Sequence, residues 1–286
     1  MKTARRSCCF FGFALLVGGQ VFAEPAERAS ETIPSEGCRR LDLQIDFSAG
    51  VIEVAPADID DLIKLDIYYT PRFVTYDIDK STRGDRCLVV MESDRRRQGW
   101  DRDDSENEWT LQLSKKYPTS IEMDIGACEG RMELGGIPLT DLVLDIGAAD
   151  LEIDFSEPNP ARLEELSVDC GASSLEINGL ANANVGSMEF DVGAGSCEID
   201  LRGEIKGEIS IDISVGVGSM DVILSPDVAL MVEGDDDWLS SIDFQDFDLS
   251  KTRRGTWETD GFDKARDRVI VTADVAMGSV TIHGKR

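Results

Sequence analysis

Histidine is nearly absent from this chain, and so are the residue patterns of many known enzymes. The 286 residues include one histidine, His283, close to the C-terminus. A catalytic mechanism that needs histidine would therefore depend on this one residue, and we regard it as nearly excluded. The chain also lacks GxSxG, HExxH and CxxC patterns, a P-loop, and a GxGxxG segment after a strand. We therefore expect no enzyme, no catalytic residue and no bound cofactor.

Basic charge is also scarce. The chain has 29 Lys and Arg residues against 56 Asp and Glu residues, and its formal net charge is −27. Binding to a phosphate backbone needs clustered Lys and Arg, so nucleic acid is excluded as a partner. Anionic lipid is disfavoured for the same reason. The favoured partners are cations, basic proteins or neutral polymers such as glycans, although acidity can also serve solubility alone.

Long apolar runs are missing after the first residues. Basic residues precede an apolar run from Cys8 to Val17, and a small-residue stretch ends at Ala23. This pattern is typical of a secretory signal peptide over residues 1–23, cleaved before Glu24. No later segment is apolar enough to span a membrane as a helix. We expect an extracytoplasmic protein, either periplasmic or secreted.

A degenerate repeat of about 22 residues fills the middle of the chain. Each copy aligns on one residue, usually acidic, that precedes a Gly and Ala bend. These anchors are Asp46, Asp124, Asp145, Asp169, Asp191, Ser214 and Asp274. Apolar residues alternate on both sides of the bend, which predicts a strand, a bend and a second strand. The sequence therefore predicts an all-β fold, a β-solenoid-like stack of these units.

The bends and the anchors have expected roles. Gly and Ala occupy the bends because a sharp turn needs a positive φ or a missing side chain. An Asp before such a bend commonly accepts hydrogen bonds from the amides of the turn. Alternation also points the anchor outward, together with the residue seven positions later. This second set comprises Glu53, Arg131, Glu152, Glu176, Glu198, Asp221 and Thr281.

The stacked carboxylates predict mutual repulsion. Strands stack about 4.8 Å apart, and neighbouring carboxylates would repel by about 1 kcal/mol in bulk water. Calcium could relieve this repulsion, and its candidate ligands are Asp124, Asp145, Asp169 and Asp191. The alternative is that these Asp residues shape the bends and that solvent and salt screen the rest.

The flanking regions are less regular. We expect a flexible lead-in over residues 24–37 and an N-terminal antiparallel β region over residues 38–118, with a charged hairpin loop near Arg95. The regular repeat array follows over residues 119–224. Residues 225–286 combine an irregular acidic and aromatic segment with capping strands. We expect the first repeat and the Arg268–His283 strand pair to cap the stack.

Aromatic and cysteine residues give further candidates. Trp238, Phe244, Phe247 and Trp257 either cover the end of the core or form a binding surface. Cys38 and Cys87 flank strands and could form a disulfide, although sequence alone does not determine the pairing.

Several segments carry a family resemblance. PTSIEMDIGA, LVLDIGAADLEIDF, LSVDCGASSLEI and ISVGVGSMDVIL together resemble the toast-rack and candidate-adhesin families of bacterial extracytoplasmic proteins. The closing VIVTADVAMGSVTIHG is similar to the C-terminal domain of cell-wall-active antibiotic response proteins of the LiaF type. The resemblance implies a non-enzymatic β-solenoid-like module, linked in some relatives to envelope-stress signalling.

Three hypotheses of function follow. The first is a secreted, non-catalytic, adhesin-like module that binds an envelope protein or a glycan. The second is a structural solenoid that cations stabilise. The third is a carbohydrate-active enzyme, because a glycosidase needs only two suitably spaced carboxyl groups.

Overall fold

Strands make up nearly all of the regular structure. The computed structural model describes residues 25–95, 106–234 and 241–285. Within these residues the only helical segments are two short 3-10 turns, Leu180–Asn182 and Phe262–Lys264. The predicted all-β, solenoid-like class is confirmed.

The N-terminal strands are β1 Glu27–Ile33, β2 Arg40–Ala57, β3 Ile63–Tyr69, β4 Val74–Arg83, β5 Arg86–Arg95 and β6 Asn107–Ser114. The strands of the central array are β7 Thr119–Glu133, β8 Leu139–Ile146, β9 Asp150–Asp154, β10 Glu165–Cys170, β11 Ser174–Asn178, β12 Ser187–Val192, β13 Ser196–Asp200, β14 Glu208–Val215 and β15 Ser219–Leu224. The C-terminal strands are β16 Ala229–Gly234, β17 Ser241–Gln245, β18 Leu249–Arg253, β19 Thr256–Thr259, β20 Arg268–Val275 and β21 Ser279–Gly284.

Each coil contributes one strand to each of two faces. On the first face, β8, β10, β12 and β14 pair in parallel and in sequence order. On the second face, β9, β11, β13 and β15 do the same. The long strands β2 and β7 run through the bend and belong to both faces. Alternate residues of both faces point inward and join one continuous apolar core.

The coil order at the C-terminal end differs from the prediction. Strand β20 lies between β14 and β16, and β21 lies between β15 and β17. The Arg268–His283 segment is therefore an inner coil, and β16 to β19 form the outer layer. The predicted capping role was wrong because the repeat pattern identifies a coil without identifying its neighbour.

The N-terminal end has the same arrangement. Strand β2, the first repeat, lies between β7 on one side and β5 and β6 on the other. Antiparallel strands then finish the stack: β4 pairs with β5, and β3 pairs with β6. The first repeat is therefore also internal, and the N-terminal region is a mixture of parallel and antiparallel pairs.

The predicted flexible lead-in also needs correction. Residues Glu27–Ile33 form β1, which pairs antiparallel with β3 along its whole length. Most of its side chains are exposed, and only Ile33 is buried. A polar sequence is compatible with an outermost strand, where backbone pairing supplies the order and charged side chains protect the free edge.

Aromatic pairs close both ends of the core. Tyr69 of β3 and Tyr76 of β4 meet edge to face, with ring centroids 5.2 Å apart. At the other end Phe244 of β17 lies 5.4 Å from Trp257 of β19, and both pack against the core with Phe247. Each pair joins an outer strand of one face to an outer strand of the other. Three of the four predicted binding-surface aromatics therefore contribute cover, and Trp238 lies outside the described residues.

The cysteines have two different environments. Cys38 and Cys87 are joined in a disulfide with Cα atoms 5.6 Å apart. This bond ties the segment before β2 to the start of β5. Cys128, Cys170 and Cys197 are free and buried. Burial raises the pKa of the Cys128 thiol to about 11, so it forms little reactive thiolate at neutral pH.

Side-chain amides hold the loops that return the chain from one coil to the next. The buried Asn159 amide donates to the carbonyl oxygens of Leu139 at 3.0 Å and Ala183 at 3.1 Å. Asn182 donates to the Phe155 carbonyl at 2.9 Å. Backbone bonds between these loops are few, from Asn159 to Asn182 and from Leu163 to Asn184, and the side-chain amides add to them.

The bends stack through direct backbone contact. The amide of Gly171 donates to the Ile146 carbonyl at 2.7 Å, and the amide of Gly193 donates to the Cys170 carbonyl at 2.7 Å. A β-carbon on Gly171 would lie 2.6 Å from the Gly147 carbonyl oxygen. Neither Gly171 nor Gly193 has a positive φ. Close approach of the preceding coil, and not turn conformation, is therefore the reason for glycine here.

This contact generates a prediction for Gly171→Ala. The new β-carbon would overlap the backbone of the neighbouring coil, which cannot move without breaking bend hydrogen bonds. We expect the free energy of unfolding to fall by about 1–3 kcal/mol, the usual cost of overpacking a tight site. Urea unfolding followed by circular dichroism measures the change.

Gly186→Ala is the matched control. A β-carbon at Gly186 would meet only the tip of the exposed Arg162 side chain, which can rotate away. We expect little loss of stability. Equal effects of the two substitutions would contradict the proposed role of the bend contact.

Candidate functional site

A row of carboxylates crosses the outer surface of the first face. The predicted anchors Asp46, Asp124, Asp145, Asp169 and Asp191 occupy one register position on neighbouring strands. Glu92 of β5 and Asp77 of β4 extend the same position outward. Seven consecutive strands therefore carry an exposed carboxylate, and we call these seven residues the acidic row. Ser214 and Asp274 continue the register beyond it.

Two members of the acidic row were missed by the repeat alignment. Asp77 and Glu92 lie on an antiparallel hairpin without the Gly and Ala bend. Their outward position follows from strand alternation, which the segment around Glu92 shows in its sequence. Their place in the row depends on the strand order, which no local pattern encodes.

The acidic row has electrostatic strain. Partial burial raises the pKa of Asp124, and repulsion from Asp145 and Asp46 raises it further. Partial burial also raises the pKa of Asp169, and Asp145 and Asp191 add to that effect. Within the part of the chain that the structure describes, no basic side chain forms an ion pair with a member of the row.

The predicted role of Asp in the bends was wrong. The amide of Ala172 donates to the Gly147 carbonyl at 2.8 Å, and the amide of Ala194 donates to the Gly171 carbonyl at 2.8 Å. The bend amides are thus satisfied by the backbone of the preceding coil. The anchor carboxylates are left facing solvent.

The second face carries the other predicted row, and this row is compensated in part. Glu53, Arg131, Glu152, Glu176, Glu198, Asp221 and Thr281 share one register, as predicted. Arg131 donates to Glu152 at 3.1 Å and to Asp154 at 3.2 Å. The sole histidine, His283, lies 2.7 Å from Asp221. The two rows therefore differ, because only the second row includes a basic residue, Arg131, and has the histidine beside it.

The calcium candidates Asp124, Asp145, Asp169 and Asp191 lie one per strand, at one register position of an exposed face. Among residues 25–95, 106–234 and 241–285, no three acidic, histidine or cysteine side chains converge as a metal cage would require. The row can attract cations through its summed negative potential. A calcium site would instead enclose one ion with several oxygen ligands. The predicted charged loop after Arg95 lies mostly outside the described residues.

Comparison with known families shows to which family this chain belongs. A family model described as "N-terminal domain of toast_rack, DUF2154" matches residues 22–164 and 162–223. The chain belongs to the toast-rack family. The match ends at residue 223, before the C-terminal layer, so the similarity of the closing strands to antibiotic response proteins stays a prediction. A search of curated protein sequences found no match.

Solved structures resemble this toast-rack chain at low identity. A "putative cell adhesion protein" from Clostridium sporogenes has 14% identity and a TM-score of 0.47, over 91% of this chain and 100% of its own. A "putative adhesin" from Bacteroides fragilis has 13% identity and a TM-score of 0.43, over 91% and 97%. Similarity at this level carries no information about function.

No described helix of this toast-rack protein is long and apolar enough to cross a membrane.

The raised pKa values predict a pH dependence for the double variant Asp124→Asn, Asp169→Asn. A carboxyl group whose pKa is raised in the folded state destabilises the folded protein as pH rises through that pKa. The variant should therefore melt at a higher temperature than the wild type at about pH 7. The difference should shrink toward about pH 3, where the wild-type groups are protonated. Calorimetry across this range measures it.

Glu152→Gln is the control for this prediction. Its carboxylate accepts a hydrogen bond from Arg131, so removal of the charge should not raise the melting temperature. A similar rise in both proteins would show that net charge alone, and not the acidic row, sets the effect.

Proposed function

We propose that this toast-rack protein is a non-catalytic binding module that works outside the cytoplasm. It binds basic protein surfaces through its first face. The observation that carries this proposal is the acidic row. Seven carboxylates lie side by side on a flat strand surface without a basic partner among the described residues. A partner that brings basic side chains would relieve repulsion that the free protein keeps.

The scaffold holds this charge in a fixed arrangement. Each carboxylate sits on a strand that pairs on both sides, except at Asp77 on the outermost strand. The row spans about 29 Å, six strand spacings of about 4.8 Å. Ordered like charges of this extent steer oppositely charged partners and accelerate their association, with strong dependence on salt. The row therefore suits recognition of an extended basic surface.

The setting of the acids supports a non-catalytic role. A glycosidase separates the pKa values of two carboxyl groups by placing them in different surroundings around a cleft. In the acidic row, Asp124 and Asp169 share the same surroundings, and both pKa values move in the same direction. Equivalent groups on an open face fit binding better than acid and base catalysis.

Two observations support an extracytoplasmic location. The first 23 residues have the pattern of a secretory signal. The Cys38–Cys87 disulfide fits an oxidising compartment.

The test is a binding titration of the purified protein with poly-lysine, with poly-glutamate as the negative control. The variant removes four charges of the acidic row: Asp124→Asn, Asp145→Asn, Asp169→Asn and Asp191→Asn. We expect its affinity for poly-lysine to fall about tenfold or more, since several close charge pairs are lost. Added salt should weaken binding of the wild type more than binding of the variant.

A matched variant removes four charges from the second face: Glu152→Gln, Glu176→Gln, Glu198→Gln and Asp221→Asn. It should bind poly-lysine nearly as well as the wild type. Equal losses in both variants would overturn docking on the first face. Calcium-specific stabilisation that the first-face variant abolishes, without any effect on poly-lysine binding, would instead favour the cation-stabilised structural role.

A further inference from the structure

Two neighbouring cavities lie on the outer surface of the second face, near the N-terminal end. The first, of about 380 Å³, is lined by residues of β1, β3 and β6 that include Tyr68, Asp66 and Glu108. The second, of about 270 Å³, is lined by residues of β2, β7 and β9 that include Glu53 and Glu129. Strands β6 and β2 are direct neighbours, so the two cavities adjoin.

The cavities follow the same two register positions. One position runs through Tyr68, Glu108, Val51, Glu129 and Asp150 on consecutive strands. The other position starts at Asp66 and lies two residues away on each strand. Together they form one groove across six strands, about 24 Å long at a strand spacing of about 4.8 Å. We call this groove the second-face trough.

The trough has an unbalanced charge. Arg131 is already held by Glu152 and Asp154, and the Ser30 hydroxyl donates to Asp66. Among the described residues, Glu53, Glu108 and Glu129 form no ion pair. A ligand that fills the trough must therefore supply positive charge or hydroxyl donors.

The direction and lining of the trough favour a sugar chain over a peptide strand as its ligand. The trough runs across the strands from β1 to β9, whereas a peptide that adds as a strand must lie along the free outer edge of β1. Besides the exposed Arg28 side chain, the trough offers carboxylates, the hydroxyls of Ser30 and Thr110, and the Tyr68 ring. An aromatic ring beside hydrogen-bonding groups suits the apolar face and the hydroxyls of a sugar.

The spacing fits the same ligand class. A β-1,4-linked pyranose chain advances by nearly the same distance per sugar as the sheet does per strand. Neighbouring sugars in such a chain are rotated by about half a turn, so their amino groups alternate between the two edges of the chain. They can therefore meet carboxylates that alternate between the two register positions, as Glu108, Glu53 and Glu129 do. Amino groups on the sugars would complement the unpaired acids, whereas an acidic glycan would be repelled.

We propose that the second-face trough binds a linear β-1,4-linked polysaccharide that carries free amino groups. The ammonium groups lie against Glu108, Glu53 and Glu129, and one sugar ring stacks on Tyr68 after the Arg28 side chain swings away. Arg28 is exposed and rests over that ring, with its guanidinium carbon 5.3 Å from the ring centroid. This site is separate from the acidic row on the first face.

Calorimetric titration of the full chain with a glucosamine hexamer, at mildly acidic pH, tests the proposal. The trough variants are Tyr68→Ala and the pair Glu53→Gln, Glu108→Gln. We expect each to weaken binding about tenfold, the loss typical of one stacking contact or of hydrogen bonds to charged groups. The pair Glu176→Gln, Glu198→Gln lies on the same face beyond the trough, and it should bind as the wild type does.

Three results would overturn the proposal. The wild type could fail to bind the hexamer, the trough and control variants could lose affinity equally, or a fully N-acetylated hexamer could bind as tightly as the amine. Tighter binding of poly-lysine, lost in the same trough variants, would make the trough a peptide site instead. The first-face variant should keep its affinity for the hexamer, so this proposal and docking on the first face can fail separately.

Discussion

Successive bends touch through their backbones, and one β-carbon at a bend glycine would push neighbouring coils apart. The amide of Gly147 donates to the Ile125 carbonyl at 2.7 Å, and the same bond recurs from Gly171, Gly193 and Gly216 to the coil before each. Because these bonds connect equivalent positions, every coil takes the same register as the last. The inward and outward alternation of the whole stack follows from that register.

Register fixes the chemistry of the outer surface as well. An Asp at one position of each repeat must stack on the Asp of the next, so the fold brings like charges within about 4.8 Å of each other. Partial burial is the main reason for the raised pKa values of Asp124 and Asp169, and repulsion from the neighbouring carboxylates adds to it. Burial of the continuous apolar core offsets this repulsion, since a fully buried Leu or Ile side chain contributes about 1.5–3 kcal/mol.

The sequence predicts the interior of the array well and its ends poorly. Strand alternation places both outward rows, from Asp46 to Asp274 and from Glu53 to Thr281, because the repeat length fixes which residues align. The same pattern does not show that β20 lies between β14 and β16. That order depends on the path of β16 to β19, and these strands have no repeat signature.

The residues of the candidate sites were likewise predicted in part from the sequence. The five Asp members of the acidic row were readable as anchors, whereas Asp77 and Glu92 join it only through the N-terminal hairpin. The second-face trough was not predicted, because β1 looked like a polar lead-in and Tyr68 like an ordinary strand residue. Its lining comes from six strands that are distant in sequence. Only the strand order brings Tyr68, Glu53 and Glu129 onto one surface.

Hydrogen exchange of the bend amides tests the central claim most directly. If coil-to-coil backbone bonds set the register, the amides of Gly147, Gly171, Gly193 and Gly216 should exchange as slowly as amides in the paired strands beside them, despite their position at an exposed corner. Exchange as fast as that of the exposed Gly84 turn would show that the bends are open, and would contradict this account of the stack.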